Sequence, residues 1–363
     1  MSRNKLQLTL PTLEPEYVFQ AMSEVYDWGL RDLHIPEIHR ETQGEGIAIA
    51  VIDSGKSEHF EVTNNTLGGK NFSDSPVVED KNGHSTFVSG IIAAEKNSEG
   101  VIGVAPKSKI YFIKAMDDAG RGGPAQLVQA IEWAIRQKVD IISISAGMFV
   151  DFKPLHKSVK KAYDKNIIIV AAAGNTGTRH YDVAYPARYP EVIGVAAYDI
   201  KHKVAKFSSR GLNVSFAMPG VDIYSTWLDH QFVKNNGTSF AAPMLSGICA
   251  LILAKHRSLG GKSKTPCNTP KQMLEHLVKY AIDLGDGKKA SGFGTIDAKS
   301  MFLLDEPAEP TEPKPTPVIH KPVPKPKPRR VSSPFATSSR KKIRPSKRWY
   351  LAYRKKMMRR RRR

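Results

Sequence analysis

Short, unbroken apolar runs recur along this chain, and most are followed by a stretch with helical spacing. Gly46-Ile-Ala-Ile-Ala-Val-Ile52 reads as a strand that ends in Asp53-Ser-Gly55. Further strands are predicted at Ile110-Tyr-Phe-Ile-Lys-Ala115, Asp140-Ile-Ile-Ser-Ile-Ser145, Ile167-Ile-Ile-Val-Ala-Ala-Ala173 and Val192-Ile-Gly-Val-Ala-Ala197. Helices are predicted near 84–94, 126–137, 155–165 and 270–281. In the second of these, Leu127, Ala130, Ile131, Ala134 and Ile135 fall on one side. A longer, strongly apolar helix follows Ser239 and contains Ser246-Gly-Ile-Cys-Ala-Leu-Ile-Leu-Ala-Lys255. Strands with no polar alternation are buried on both faces. The expected fold is therefore α/β: a three-layer, doubly wound domain with a mostly parallel sheet. Function in such sheets collects at the carboxyl ends of the strands, where Asp53, Ser145 and Asn175 fall.

Composition adds a boundary. The chain has 363 residues, 40% of them hydrophobic, enough for one large core. Its net charge of +20 is concentrated at one end: residues 313–363 hold 20 Lys and Arg and no Asp or Glu. The preceding 312 residues are formally neutral, with 35 basic and 35 acidic side chains. From 307 to 328, 9 of 22 residues are proline, which gives an extended spacer. The expected organisation is an N-terminal extension (1–24), a folded domain (25–304), a Pro-rich linker (305–330) and a basic, disordered tail (331–363). Two cysteines, Cys249 and Cys267, are no disulfide framework and fit a reducing compartment. The first residues lack the apolar core of a signal peptide, and no apolar run is long enough to span a bilayer. These features favour a soluble, cytoplasmic protein.

The chemistry centres on Gly237-Thr-Ser-Phe-Ala-Ala-Pro243. It sets Ser239 at the mouth of the apolar helix, beside unpaired backbone N–H groups and in the positive field of the helix end. Acyl transfer needs such donors aimed at a developing oxyanion. Asp53 at a strand end and His84 at another helix start supply the remaining parts of a triad. The serine attacks, the histidine takes its proton, and the carboxylate orients the imidazole.

With these residues in the order Asp, His, Ser, the chain resembles the subtilisin-like serine proteases over roughly residues 25–300. Ala50-Val-Ile-Asp-Ser-Gly55, Asn82-Gly-His-Ser-Thr-Phe-Val-Ser-Gly90 and the Ser239 segment match that family's three motifs. Ala171-Ala-Ala-Gly-Asn175 matches the segment supplying its oxyanion asparagine. The resemblance implies a serine endopeptidase acting on proteins or peptides through an acyl-enzyme on Ser239. Asn175 and the Ser239 N–H would hold the oxyanion. Ser145, Ala146 and Gly147 would form one edge of the substrate cleft, Gly120 and Gly122 the other, and Gly174 and Ala184 would shape the pocket. Two preferences before the cut stay open: Ala146, Gly147, Gly174 and Ala184 suggest an open, apolar-tolerant pocket, whereas nearby Asp182 would favour a basic residue. Ser85 and Phe87 replace the usual glycine and second histidine of the His motif, and Pro243-Met-Leu-Ser246 replaces the usual Pro-His-Val-Ala.

The same resemblance implies a Ca²⁺ site at Ala94-Glu-Lys-Asn-Ser-Glu-Gly-Val-Ile-Gly-Val-Ala-Pro106. Its ligands would be the Asn97 side chain, the carbonyls of Glu95, Glu99 and Val101, and the Glu61 carboxylate, with Glu24 adding an oxygen. Placing Glu61 needs a one-residue gap in the match. The short N-terminal extension is similar to that of the intracellular subtilisins, in which a Leu-Ile-Pro-like segment blocks the cleft; Leu8-Thr-Leu-Pro-Thr12 would take that part. Residues 314–363 are expected to bind a polyanion such as DNA, RNA or an acidic protein, with Trp349, Tyr350 and Tyr353 placed to stack on bases. The alternative is an inactive member of the fold whose tail does the work.

Overall fold

In the computed structural model, the described residues are 7–10, 18–19, 23–178, 183–261 and 267–303, all within one compact unit, Met1–Pro310. The linker and tail (305–363), Asp182, Pro11 and Thr12 lie outside them. Chain order begins with β1 (Leu8–Thr9), β2 (Val18–Phe19), α1 (Trp28–Asp32), α2 (Ile35–Ile38), β3 (Ala48–Asp53), α3 (Phe60–Thr63), β4 (Thr66–Asn71) and α4 (His84–Ala93). It continues with β5 (Lys109–Lys114), β6 (Arg121–Gly122), α5 (Pro124–Gln137), β7 (Ile141–Ile144), α6 (Lys153–Asp164), β8 (Ile168–Ala172), β9 (Ile193–Tyr198) and β10 (Phe216–Pro219). It closes with β11 (Ile223–Thr226), β12 (Phe232–Asn235), α7 (Thr238–Ser258), α8 (Pro270–Lys279), β13 (Ala281–Ile282), α9 (Lys288–Ser291), β14 (Thr295–Ile296) and α10 (Ala298–Leu303).

The central sheet has seven strands in the order β10-β9-β8-β7-β3-β5-β4, and every pairing is parallel. Successive strand residues point to opposite faces, so each strand feeds two cores. Ile49, Val51, Ile110, Phe112, Ile168 and Val170 pack with α4 and α7. Ala50, Ile52, Ile113, Ile142, Ile169 and Ala171 pack with α5 and α6. The architecture is the expected three-layer α/β domain. α7 is long and apolar enough to cross a membrane, but its most apolar stretch is 94% buried inside the domain. Cys249 and Cys267 are both buried and form no disulfide, and burial pushes the Cys249 thiol well above its usual range.

The hydrophobic pattern does not announce every element. β4, Thr-Leu-Gly-Gly-Lys-Asn, is largely polar and glycine-rich because it forms the sheet edge and is covered poorly. The antiparallel sheet β11-β12-β2 joins strands far apart in sequence. α1 and α2 are each about one turn long, too short for helical periodicity to register.

Candidate active site

Three neighbouring strands, β8, β7 and β3, end on the same side of the sheet. Their carboxyl ends deliver Asn175, Ser145 and Asp53. Asp53 and His84 are fully buried, and His84 Nδ1 donates to both Asp53 oxygens, at 2.8 and 2.9 Å. This fixes the ring and leaves Nε2 as the free nitrogen. His84 Nε2 is buried with no hydrogen-bond partner among the described residues. A buried polar atom without a partner is costly in a structural role but is needed in a base waiting for a proton.

Ser239 lies in the first turn of α7 and is 3% exposed. Its neighbour Phe240 contacts the His84 ring, with centroids 5.8 Å apart, and also packs on Phe87 at 4.4 Å. Phe87, the departure in the His motif, is therefore a core residue bracing both helix mouths. The Ser239 hydroxyl donates to the Ser145 carbonyl at 3.0 Å, while the Ser145 hydroxyl donates to the Ser239 carbonyl at 2.8 Å. Proline explains the second bond. Pro243 stands four residues after Ser239 and has no N–H, so the Ser239 carbonyl lacks its helical partner and accepts from β7 instead. The serine–histidine hydrogen bond is thus not made in this resting arrangement.

Asn175 is held by its oxygen. Oδ1 accepts from the Thr238 N–H (3.1 Å) and the Thr238 hydroxyl (2.8 Å), and that hydroxyl in turn accepts from the Gly174 N–H at 3.2 Å. The amide NH2 remains available beside the N–H groups at the mouth of α7. Together they form a pre-set donor pair of the kind an oxyanion requires. Ser145, Ala146, Gly147, Gly174 and Ala184 line one cleft of about 200 Å³ with Asn175 and Ser239. Phe149, Ala172 and Thr176 also line it and were not singled out by the sequence.

The cleft contains part of the chain itself. β1 pairs antiparallel with β6, matching Leu8 to Gly122 and Thr9 to Arg121. The Leu10 N–H reaches the Gly120 carbonyl at 2.9 Å. On its other side Thr9 bridges to Gly147. Residues 8–10 therefore form a middle strand between the two expected substrate edges. Leu8 is fully buried, and Thr9 and Leu10 line the cleft next to Ser239.

The expected metal ligands also converge. Glu61 is fully buried; it accepts from the Val101 N–H at 3.2 Å and the Asn97 amide at 3.1 Å. Glu24 accepts from the N–H groups of Asn97 (2.7 Å) and Ser98 (3.1 Å). One Glu95 carboxylate oxygen is buried without a partner, and the carbonyls of Glu95, Glu99 and Val101 take no backbone hydrogen bond from described residues. Burial pushes the Glu61 carboxyl up to about 8; the Val101 and Asn97 bonds oppose this, and the Glu24 and Glu95 charges add to it. Among the described residues no three His, Cys, Asp or Glu side chains are grouped tightly enough to hold a metal by themselves. Any ion here depends on carbonyls and the Asn97 amide. That amide presents Nδ2 to Glu61, while its Oδ1 accepts from the Glu99 N–H at 2.9 Å.

Residues 44–295 match the subtilase family. The Intracellular serine protease of Paenibacillus polymyxa is 36% identical over 277 residues, covering 74% of this chain and 84% of the relative. Subtilisin Savinase of Lederbergia lenta is 34% identical over 275 residues, covering 75% of this chain and 97% of the relative. The Minor extracellular protease Epr of Bacillus subtilis (strain 168) is 37% identical over 278 residues, covering 76% of this chain, but the match spans only 41% of that longer protein. The chain is a subtilase and belongs to this family of serine endopeptidases.

Proposed function

We propose that the chain hydrolyses peptide bonds by acyl transfer, with Ser239 as nucleophile, His84 as general base and Asp53 as its orienting carboxylate. The observation that carries this reading is the buried Asp53–His84 pair, whose unpartnered Nε2 lies in the layer that holds the mouth of α7. A substrate strand between β6 and Gly147 would place its scissile carbonyl at Ser239. Its own N–H groups would compete for the Ser145 carbonyl and free the serine hydroxyl for His84. Asn175 and the Ser239 N–H would then receive the oxyanion. Small side chains in the cleft favour a modest apolar residue before the cut, and the burial of Leu8 favours a bulky aliphatic one further upstream. No observation favours an inactive binding protein. Labelling with a fluorophosphonate and mapping of the adduct test the assignment. An adduct on Ser239 supports it, and an adduct elsewhere overturns it.

Residues 8–10 act as an internal competitor for the cleft, a reading supported by their strand pairing on both edges. The likeness to the Intracellular serine protease of Paenibacillus polymyxa favours the cytoplasm as the site of action.

Ca²⁺ occupies the 95–101 loop. The support is a buried Glu61 facing two other carboxylates and three carbonyls without backbone partners, a donor set of hard oxygens. Asn97 joins it through Oδ1 after an amide rotation that gives up the bond from the Glu99 N–H in exchange for the ion. The ion's contribution is structural, tying Glu24 and Glu61 to the loop. Without divalent cations, stability should fall as pH rises from about 4.5 toward 8, because the unfolded chain releases the Glu61 proton near 4.5 and the folded chain near 8. Added Ca²⁺ should raise the Tm and flatten that slope, and Glu61→Gln should remove the Ca²⁺ response. Equal Tm values with Ca²⁺ and with a chelator would count against the site.

Residues 314–363 bind a polyanion, supported by their 20 cationic side chains and absence of carboxylates. The full chain should be retained on double-stranded DNA at low salt and released as salt rises, and a chain ending at residue 312 should not be retained. Retention that is independent of the tail would refute this.

A further inference from the structure

A second buried carboxylate stands behind the Asp53–His84 pair. Asp80 is 5% exposed and receives five hydrogen bonds. Oδ1 accepts from the Ser54 hydroxyl (2.9 Å) and from the N–H groups of Asn82 and Gly83 (both 3.0 Å). Oδ2 accepts from the Thr86 N–H (2.9 Å) and the Thr86 hydroxyl (2.8 Å). Apart from Ser54, these donors belong to the turn that opens α4 and to its first residues, so Asp80 acts as a remote cap on the turn that carries His84.

Ser54 links this cap to the other half of the pair. It directly follows Asp53, and its hydroxyl both donates to Asp80 and accepts from the Ser85 N–H at 3.0 Å. The residue after Asp53 is thereby tied to the residue after His84, alongside the Asp–His bond itself. The segment bearing Asp80 is fixed as well. The Lys56 N–H reaches the Val78 carbonyl and the Asp80 N–H reaches the Lys56 carbonyl, both at 2.8 Å. Buried Lys114 donates to the Glu79 carbonyl at 2.8 Å. Gly55 is required here: its φ is 147°, and a Cβ would lie 2.7 Å from the Asp80 nitrogen.

We propose that Asp80, acting through Ser54 and the first turn of α4, is the positioning residue that sets the His84 ring against Asp53. This rests on the assignment of His84 as the base. Asp80 does not touch substrate; its effect is on where Nδ1 and Nε2 stand. Displacing a reacting group by about 1 Å can cost about 10²-fold in rate.

The test measures kcat and KM for the full chain on one peptide substrate, together with the downfield proton resonance of the His84 Nδ1–H. Wild-type protein is first labelled with fluorophosphonate and the adduct mapped. Asp80→Ala should lower kcat by about 10²-fold with KM changed little, and should shift or broaden the Nδ1–H resonance. Asp80→Asn keeps an oxygen for Ser54 and the Asn82 and Gly83 N–H groups but sets an NH2 against the Thr86 N–H, so it should recover only part of the lost kcat. Ser54→Ala, which removes one hydroxyl and leaves the cap in place, should give a smaller loss and reads the link even if Asp80→Ala does not fold. Adding it to Asp80→Ala should cost little more, because both act on one network. If Ser239 is labelled in the wild type and Asp80→Ala or Ser54→Ala retains normal kcat and an unchanged Nδ1–H resonance, the positioning role is overturned while the protease reading stands. If Ser239 is labelled neither in the full chain nor in a chain lacking residues 1–15, which frees the cleft that β1 fills, the assignment of His84 falls and this role falls with it.

Discussion

Replacing His84 with alanine should lower kcat by on the order of 10⁶-fold, a size that itself comes from a subtilisin, while leaving the fold and KM nearly intact. The geometry argues for a loss in rate rather than in binding. The imidazole is enclosed, bonded through Nδ1 to both oxygens of Asp53, and does not line the cleft described around residues 8–10. A substrate strand in the place of β1 would meet β6 and Gly147, not the ring. Ser239→Ala should cost at least as much and should also abolish fluorophosphonate labelling. Asn175→Ala should lower kcat by about 10²–10³-fold, a range that itself comes from a subtilisin. Activity measured with active-site-titrated enzyme checks all three. A His84→Ala protein that turned over at the wild-type rate would remove the triad from consideration, and a rise in KM alone would mean the ring serves binding.

Removing residues 1–15 should raise kcat/KM at least tenfold on a short peptide, chiefly through a lower apparent KM. β1 occupies both cleft edges at once and is joined to the same chain, so it competes at an effective concentration in the millimolar range. A substrate present at micromolar concentration would be outcompeted. Leu8→Asp should act in the same direction, because it places a charge at a fully buried position and should expel the strand. A synthetic peptide covering residues 5–14, added to the truncated enzyme, should restore inhibition competitively. Truncation that leaves the rate unchanged would show that the strand seen in the cleft is displaced freely by substrate.

The residues legible in the sequence were those whose chemistry is local. Asp53, His84, Ser239 and Asn175 each sit in a short motif at a strand end or helix mouth, and periodicity alone places those ends. The supports were not legible. Asp80 looks like one more acid in a polar loop, because four of its five donors lie in an irregular turn and the first residues of the helix after it, and the fifth, Ser54, comes from a different strand end. Thr238 gave no sign that it would hold Asn175, a contact across 63 positions. Phe87 and Gly83 read as departures or neutral positions. The structure shows why they suit this chain: Phe87 packs on Phe240, and a Cβ at Gly83 would lie 2.7 Å from the Trp227 ring. Contacts of this kind arise only when two distant segments are brought together, and no window along one strand or helix contains them.

The position of the cleft strand along the chain has a consequence in time. Residues 8–10 leave the ribosome before Asp53 and His84, and Ser239 follows only when most of the domain has been made. The site cannot close until α7 inserts against β7, β8 and β9. By then the segment that fills its entrance has long been available. On this reading the nucleophile, once complete, meets a groove that an earlier segment of its own chain already fills.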